Sequence, residues 1–526
     1  MRDSASLFVR SWRPACGPAA ALAVTLLSAA ALPGCGADVP AHPGADPAPA
    51  TSALGASSSY LVSFTTGTIP ANADQLIAAA GGSIAARYQA LGVVLARSGQ
   101  TSFATTLRGM DGVDAVGAAT ATSSRLVPAA AAHHPAHPHG PRGAAADPLA
   151  FRQWDMDQIH APAAHAISTG KKSVLVSVLD SGIDVTHPDL AGQVDPTASA
   201  SCLGGVANAD PAIWSNDVIG HGTHVSGTIA ALPNQIGIVG VAPGVRLAAV
   251  KVAVDDVNDP NFGLVLPDAF VCAIDWSIAH GADVMNASLS IDPFTAPIDD
   301  IFCSDQPDRE AVVKIVRRAV LEAGRHKTSL VASVGNFFTD VSKLTGTTPG
   351  SHCKLLPVQL PRVIGVSSVN YGKQLAFYSN YGRGAVDLTA PGGDSLVPDP
   401  LVTDTAASGQ VLSSMPANSL LYQGAADYDG QVQDCTSGTC VTYGYLQGTS
   451  QAAPHVTGVA ALLISRFGKM SPDALLVALS LGANPLACPP SPYDPGSTGQ
   501  PATCTGPAFY NNFYGAGEVD ALAAVR

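Results

Sequence analysis

The chain has 526 residues, 47% of them hydrophobic and only 13% charged. That is enough for a large core and for more than one folded unit. With 40 acidic against 27 basic residues the formal net charge is −13, which disfavours nucleic acid as a partner and otherwise speaks to solubility.

Arg2, Arg10 and Arg13 precede an apolar run over 19–32. The run is short and is followed by small residues, as in an export signal and unlike a spanning helix. Leu32-Pro33-Gly34-Cys35 resembles a bacterial lipoprotein box. The resemblance implies a signal segment over 1–35 and a lipid on Cys35. Pro33 stands where such boxes carry a small residue, so ordinary cleavage nearby stays open. Gly36, not aspartate, follows the cysteine, which by the same analogy argues against inner-membrane retention. Residues 36–58, rich in Ala, Pro, Gly and Ser, read as a flexible tether. Over 59–120, strand patterns at 60–64, 92–96 and 113–117 alternate with helix patterns at 72–80 and 101–110. That alternation suits a small α+β domain of ferredoxin-like type. Residues 121–146 read as a linker. Its His133, His134, His137 and His139 lie among Ala and Pro, and a solvated linker accounts for them better than a metal site.

Residues 147–526 read as one larger α/β domain. The apolar run at 174–179 predicts a strand buried on both faces, ended by Asp180. A carboxylate at the C-terminal edge of a parallel strand stands where open α/β sheets place their sites; an aspartate opening a turn is the plainer reading. His221-Gly222-Thr223-His224 predicts a helix start with two histidines at i and i+3. The zinc pattern His-Glu-x-x-His is absent, so acid–base chemistry is favoured over metal. Strands are expected at 247–252, 283–290, 330–336, 363–369 and 386–389, and helices at 268–280 and 309–323. Alternating strand and helix means a parallel sheet covered on both faces. Residues 393–445, long and polar, read as an insertion shaping a cleft. Gly448-Thr449-Ser450-Gln451-Ala452-Ala453-Pro454-His455 then places a hydroxyl at the start of an apolar helix. Unpaired N–H groups and the helix dipole favour negative charge there. Pro454 is expected in the first turn, where its missing N–H removes little. A serine N-cap is the plainer alternative.

Asp180, His221 and Ser450 follow one another in the chain order of subtilisin. The segments Val178-Leu179-Asp180-Ser181-Gly182-Ile183, His221-Gly222-Thr223-His224-Val225 and 448–455 closely resemble the three signatures of the subtilisin-like serine proteases. Gln158-Ile159-His160-Ala161-Pro162 and Tyr514-Gly515-Ala516-Gly517-Glu518-Val519-Asp520 extend the resemblance over most of 154–526. It implies a subtilisin-like parallel sheet with helices on both faces. It also implies His221 rather than His224 as base, Ser450 as nucleophile, Asp180 as orienting acid and Asn336 as oxyanion donor. Ser288, Leu289 and Ser290 would bind the substrate backbone as an added strand. Ser290 stands where relatives often carry glycine, and with Phe337 and Leu355 it would line the primary pocket. Gln451 stands where relatives often carry methionine, and cannot form a sulfoxide. Residues 59–120 would be an inhibitory propeptide. Asp189, Leu232, Asn234, Ile236 and Ile238 would hold calcium through oxygen ligands, with Asp147 or Gln153 as a further ligand.

Of ten cysteines, eight lie beyond the signal region, and an even count in an exported chain suggests disulfides. Cys435–Cys440, Cys488–Cys504 and Cys303–Cys353 are reasonable pairs. Cys202 and Cys272 are left over, and Cys272 lies in a helical apolar pattern, as a free buried thiol would. The reading is therefore a secreted or lipid-anchored endopeptidase zymogen, monomeric, acting on polypeptides and held in check by its own propeptide. A lipase would carry Gly-x-Ser-x-Gly with its histidine last. A silent surface lipoprotein that binds peptides would lose a member of the triad.

Overall fold

The computed structural model describes residues 58–119, 124–125, 147–256, 259–291, 302–345, 348–400, 402, 406–420, 430–497 and 499–526. The signal segment, Cys35, nearly all of the tether and the histidine-rich stretch lie outside them.

The N-terminal unit runs strand Ser58–Phe64, helix Ala73–Ala79, strands Gly82–Tyr88 and Val93–Ser98, helix Phe103–Arg108, strand Val113–Ala118. The first strand pairs antiparallel with the third and the fourth, and the second pairs with the third. This is the ferredoxin-like order. The strand Gly82–Tyr88 escapes the sequence pattern because most of it is only partly buried. One face of the sheet closes on its own helices through Val62, Phe64, Ile77, Phe103 and Leu107. The other face places Leu61, Tyr88, Val93 and Leu95 in one core cluster with Phe270, Val312 and Ile315 of the larger domain.

The larger domain is built on a seven-stranded parallel sheet. In spatial order its strands are Leu388–Pro391, Val363–Val369, Ser329–Ser333, Val284–Ala287, Leu175–Asp180, Arg246–Lys251 and Ala200–Ser201. These apolar runs lack alternation because helices cover both faces. On one face, helices His221–Ala230 and Thr449–Phe467 share a core with Val176 and Val178 through Val225, Ile229, Ala452 and Val456. On the other, helices Pro267–Ala279 and Pro307–Arg325 share a core with Leu179, Val250 and Ala332. Proline at N1 starts both of these helices, where its fixed φ suits the turn and no N–H is lost.

Two expectations need correction. Cys202 and Cys272 are bonded to each other, joining the turn after Ala200–Ser201 to the helix Pro267–Ala279. They are 70 residues apart in sequence, so no local pattern announces them. The other three pairs form as expected. The insertion before Ser450, read as long and polar, also carries a sheet and a small core. Strands Val411–Ser414, Gln431–Asp434 and Val441–Leu446 form an antiparallel sheet, and Tyr443 and Tyr445 are fully buried.

Candidate active site

The strand order brings three chain ends to one edge. Asp180 closes its strand, Ser288 follows Val284–Ala287, and Asn336 lies just beyond Ser329–Ser333. These three strands are neighbours, so their C-terminal ends form the crevice where open α/β sheets carry sites.

Asp180 Oδ1 accepts from His221 Nδ1 at 2.8 Å and from the Ser181 N–H at 2.8 Å. Both side chains are essentially buried, at 1% and 0% exposure. The approach needs Gly222, since a Cβ there would lie 2.1 Å from the Gly182 carbonyl oxygen. Burial pushes the imidazole of His221 down. The Asp180 charge and hydrogen bond, with help from Asp217, outweigh this and hold it above its ordinary value. His221 Nε2 is buried and makes no hydrogen bond among the described residues. His224 behaves differently. Its Nε2 lies 3.2 Å from the Val411 carbonyl and 3.0 Å from that of Gly444. Burial, then the neighbouring His221, pushes it down to about 3, so it stays neutral and ties the helix to the inserted sheet.

Ser450 is the second residue of its helix and 6% exposed. Its hydroxyl donates to the Ser288 carbonyl at 3.0 Å, so it is turned away from a bond to His221 in this state. The Ser288 hydroxyl donates in return to the Ser450 carbonyl at 2.7 Å. Pro454 explains the second bond. It lies in the second turn, not the first, and four residues after Ser450. It has no N–H to give that carbonyl, which leaves it for Ser288.

The amide of Asn336 is oriented by Thr449, a residue the sequence reading passed over. Its Oδ1 accepts from the Thr449 N–H at 2.8 Å and the Thr449 hydroxyl at 2.9 Å. The Thr449 hydroxyl in turn accepts from the Gly335 N–H at 3.0 Å. Asn336 Nδ2 would lie 3.2 Å from a Cβ at Gly448, so a side chain at 448 would crowd it. Of the proposed substrate-binding residues, Ser288 and Leu289 are buried and Ser290 is half-buried. Phe337 is exposed and Leu355 fully buried.

Asp189 also meets the loop over 232–238, its carbonyl accepting from the Leu232 N–H at 2.9 Å. Asp189 is fully buried, and its carboxylate accepts from Asn234 Nδ2 at 3.1 Å, the Tyr443 hydroxyl at 2.9 Å and the Ile238 N–H at 3.4 Å. Asn234 Oδ1 accepts from the Ile236 N–H at 2.8 Å. Burial pushes the Asp189 carboxyl up to about 7, the condition a cation would relieve. Among the described residues no group of three or more His, Cys, Asp or Glu could hold a metal. A cation here would have the Asp189 carboxylate as its one charged ligand and would take the rest from backbone carbonyls and an amide, as calcium tolerates. Asp147 is tied to the same loop, its Oδ1 accepting from the Asn234 and Gln235 N–H groups. Gln153 bonds both ways to the Val239 backbone.

Comparison with known proteins agrees with this geometry. A family model described as the subtilase family matches residues 171–517. Fervidolysin of Fervidobacterium pennivorans is 31% identical over 314 residues, covering 57% of this chain and 36% of that protein. Subtilisin E of Bacillus subtilis is 30% identical over 313 residues, covering 60% of this chain and 61% of that protein. The crystal structure of the epidermin leader peptide processing serine protease of Staphylococcus aureus superposes with a TM-score of 0.62 at 19% identity. It covers 89% of this chain and 98% of that one, and shows the likeness of fold. The chain belongs to the subtilase family.

Proposed function

We propose that the chain is an exported serine endopeptidase, made as a zymogen, with Asp180, His221 and Ser450 as its triad. The observation that carries this is the buried Asp180–His221 bond at the sheet edge that also holds Ser450 and Asn336. In the reaction the Ser450 hydroxyl turns from the Ser288 carbonyl towards His221 Nε2, which takes its proton as the oxygen attacks the peptide carbonyl. Asp180 keeps the proton on Nδ1 and stabilises the imidazolium. His221 then gives its proton to the leaving amine, and water hydrolyses the acyl-enzyme by the same route. Asn336 Nδ2 and the Ser450 N–H take the oxyanion. The substrate is a polypeptide laid in extended form along Ser288, Leu289 and Ser290.

The N-terminal sheet acts as intramolecular inhibitor and folding template. A parallel sheet depends on distant pairings and forms slowly without help. Two observations support the role. The sheet packs its apolar face on the helices Pro267–Ala279 and Pro307–Arg325, and the backbone beyond it pairs Ser124–Arg125 antiparallel with Val265 and Leu264. Gly117 permits the packing, since a Cβ there would meet Val312 at 2.8 Å. Cleavage within 121–146 would part the protease from its N-terminal segment and from any lipid on Cys35, leaving it outside the cell. Calcium, if bound, is held by Asp189, Asn234 and the carbonyls of Leu232, Ile236 and Ile238. Its contribution is to neutralise a buried carboxylate and stiffen the loop. A silent peptide-binding lipoprotein is disfavoured by the complete triad. Casein hydrolysis by the processed wild type, lost in Ser450→Ala, is the expected result; equal hydrolysis by both overturns the proposal.

A further inference from the structure

We propose that Asp217 is a positioning residue for the Asp180–His221 pair, acting by drawing the proton of Ser181 away from Asp180. The inference rests on the triad reading above. Asp217 lies in the loop before the His221 helix and is 4% exposed. Its carboxylate takes four donors. Oδ1 accepts from the Ser181 hydroxyl at 2.7 Å and the Gly220 N–H at 2.9 Å. Oδ2 accepts from the Thr223 N–H at 2.8 Å and the Thr223 hydroxyl at 2.6 Å.

Ser181 is the hinge of the arrangement. Its oxygen lies 2.7 Å from Asp217 Oδ1 and 3.2 Å from Asp180 Oδ1, and it accepts from the Gly222 N–H at 2.9 Å. A hydroxyl has one proton to give. The shorter contact assigns it to Asp217. Were it turned to Asp180, it would compete with His221 Nδ1–H for the same oxygen, Oδ1. Asp217 thus leaves that oxygen more fully to the imidazole. Its own charge acts in the same direction, since a nearby anion favours the imidazolium. The bonds to Gly220 and Thr223 meanwhile fix the first turn of the helix, whose N–H groups have no partners within it.

The other charged and titratable groups around Asp217 are few. Asp180 shares the Ser181 hydroxyl with it from the strand, and His221 feels its charge from the helix. Lys251 of the next strand gives its ammonium to the Asn216 carbonyl at 2.6 Å. Asp184 reaches the cluster only through its N–H, donated to the Thr223 hydroxyl at 2.9 Å. From the inserted sheet come Met415 and Ser419, packed at Gly220 and uncharged.

A plain helix cap would affect stability and leave the titration of His221 alone. The test therefore compares pH profiles of kcat/KM, with kcat, KM and the low-field Nδ1–H resonance of His221, in processed wild type, Asp217→Ala and Ser181→Ala. Asp217→Ala is expected to lower kcat by about 10- to 100-fold with little change in KM, as misplacement of a catalytic group does. It should move the acid limb down by about half a unit to one unit and shift the resonance. Ser181→Ala removes the hinge without touching the bonds to Gly220 and Thr223, and should leave the limb in place or move it up. In the Ser181→Ala background, Asp217→Ala should have the smaller effect. An unmoved acid limb and resonance in Asp217→Ala, or a fall in Ser181→Ala as large as in Asp217→Ala, overturns the proposal alone. If Asp217→Ala does not fold, Asp217→Asn, which keeps the shape and loses the charge, takes its place with the same expected fall in the acid limb; an unmoved limb there overturns the proposal. Hydrolysis that persists in Ser450→Ala overturns the triad reading and this proposal with it.

Discussion

Raising the pH should loosen the N-terminal sheet from the domain it covers. Two carboxyls lie beneath that sheet. Asp268, 2% exposed, begins the helix Pro267–Ala279 beside Tyr88 and Leu95 at Gly205, and Asp275 lies further along the same helix near the backbone of Ala90 and Leu91. Burial pushes each up to about 6 from an ordinary 3.8, against a smaller downward pull on Asp268 from Arg97. If Asp268 returns to its ordinary value when the sheet departs, the covered state holds a proton the bare state releases. Association is then strongest below about pH 4 and is lost as pH rises through about 6. For Asp268 alone the shift of about two units corresponds to about 100-fold in Kd, reached at about tenfold per pH unit. Asp275, less buried, adds a smaller share in the same direction. The assay is calorimetry between pH 4.5 and 8, with the sheet supplied as a separate chain to a Ser450→Ala domain cut within 121–146. Kd should weaken up to about pH 6, flatten above 7, and lose most of its slope in Asp268→Asn. A flat profile, or one that tightens with pH, would refute the reasoning.

Three further outcomes follow from the same geometry. Asn336→Ala should lower kcat by about 100- to 1000-fold with KM little changed, the size of loss that removing one such donor causes in subtilisin; an undiminished kcat would remove Asn336 from the oxyanion site. Chelator should lower the Tm of the processed enzyme, with calcium restoring it, whereas an unchanged Tm would argue against the Asp189 loop as a cation site. Cys202→Ser should cost about 4 kcal/mol, because the bond to Cys272 closes a loop of 70 residues; denaturant unfolding measures it, and a loss under about 1 kcal/mol would mean the pair does little.

Much of this arrangement is legible in the sequence because chemistry and local structure coincide there. Asp180 ends an apolar run, His221 opens a helix, and Gly335-Asn336 lies just past the end of a strand, so each motif names both an element and its site-facing end. What escapes is set by distance. Asp217 is an unremarkable loop aspartate until Ser181, Gly220 and Thr223 gather round it. Thr449 reads only as a neighbour of Ser450 until it meets Asn336, 113 residues earlier. Tyr443 lies in a stretch read as polar insertion, yet its hydroxyl reaches Asp189 across 254 residues. An acidic residue before the histidine motif was the only available hint of Asp217. Pro454 shows the converse: the residue is plain in the sequence, but its place in the second turn, and so the carbonyl it frees for Ser288, is not.

The triad is tested most directly by an organophosphonate probe on the processed enzyme, followed by peptide mapping. Labelling on Ser450, abolished in His221→Ala and slowed in Asp180→Asn, is the predicted result. A protease fully active towards casein that carries no adduct on Ser450 would contradict it.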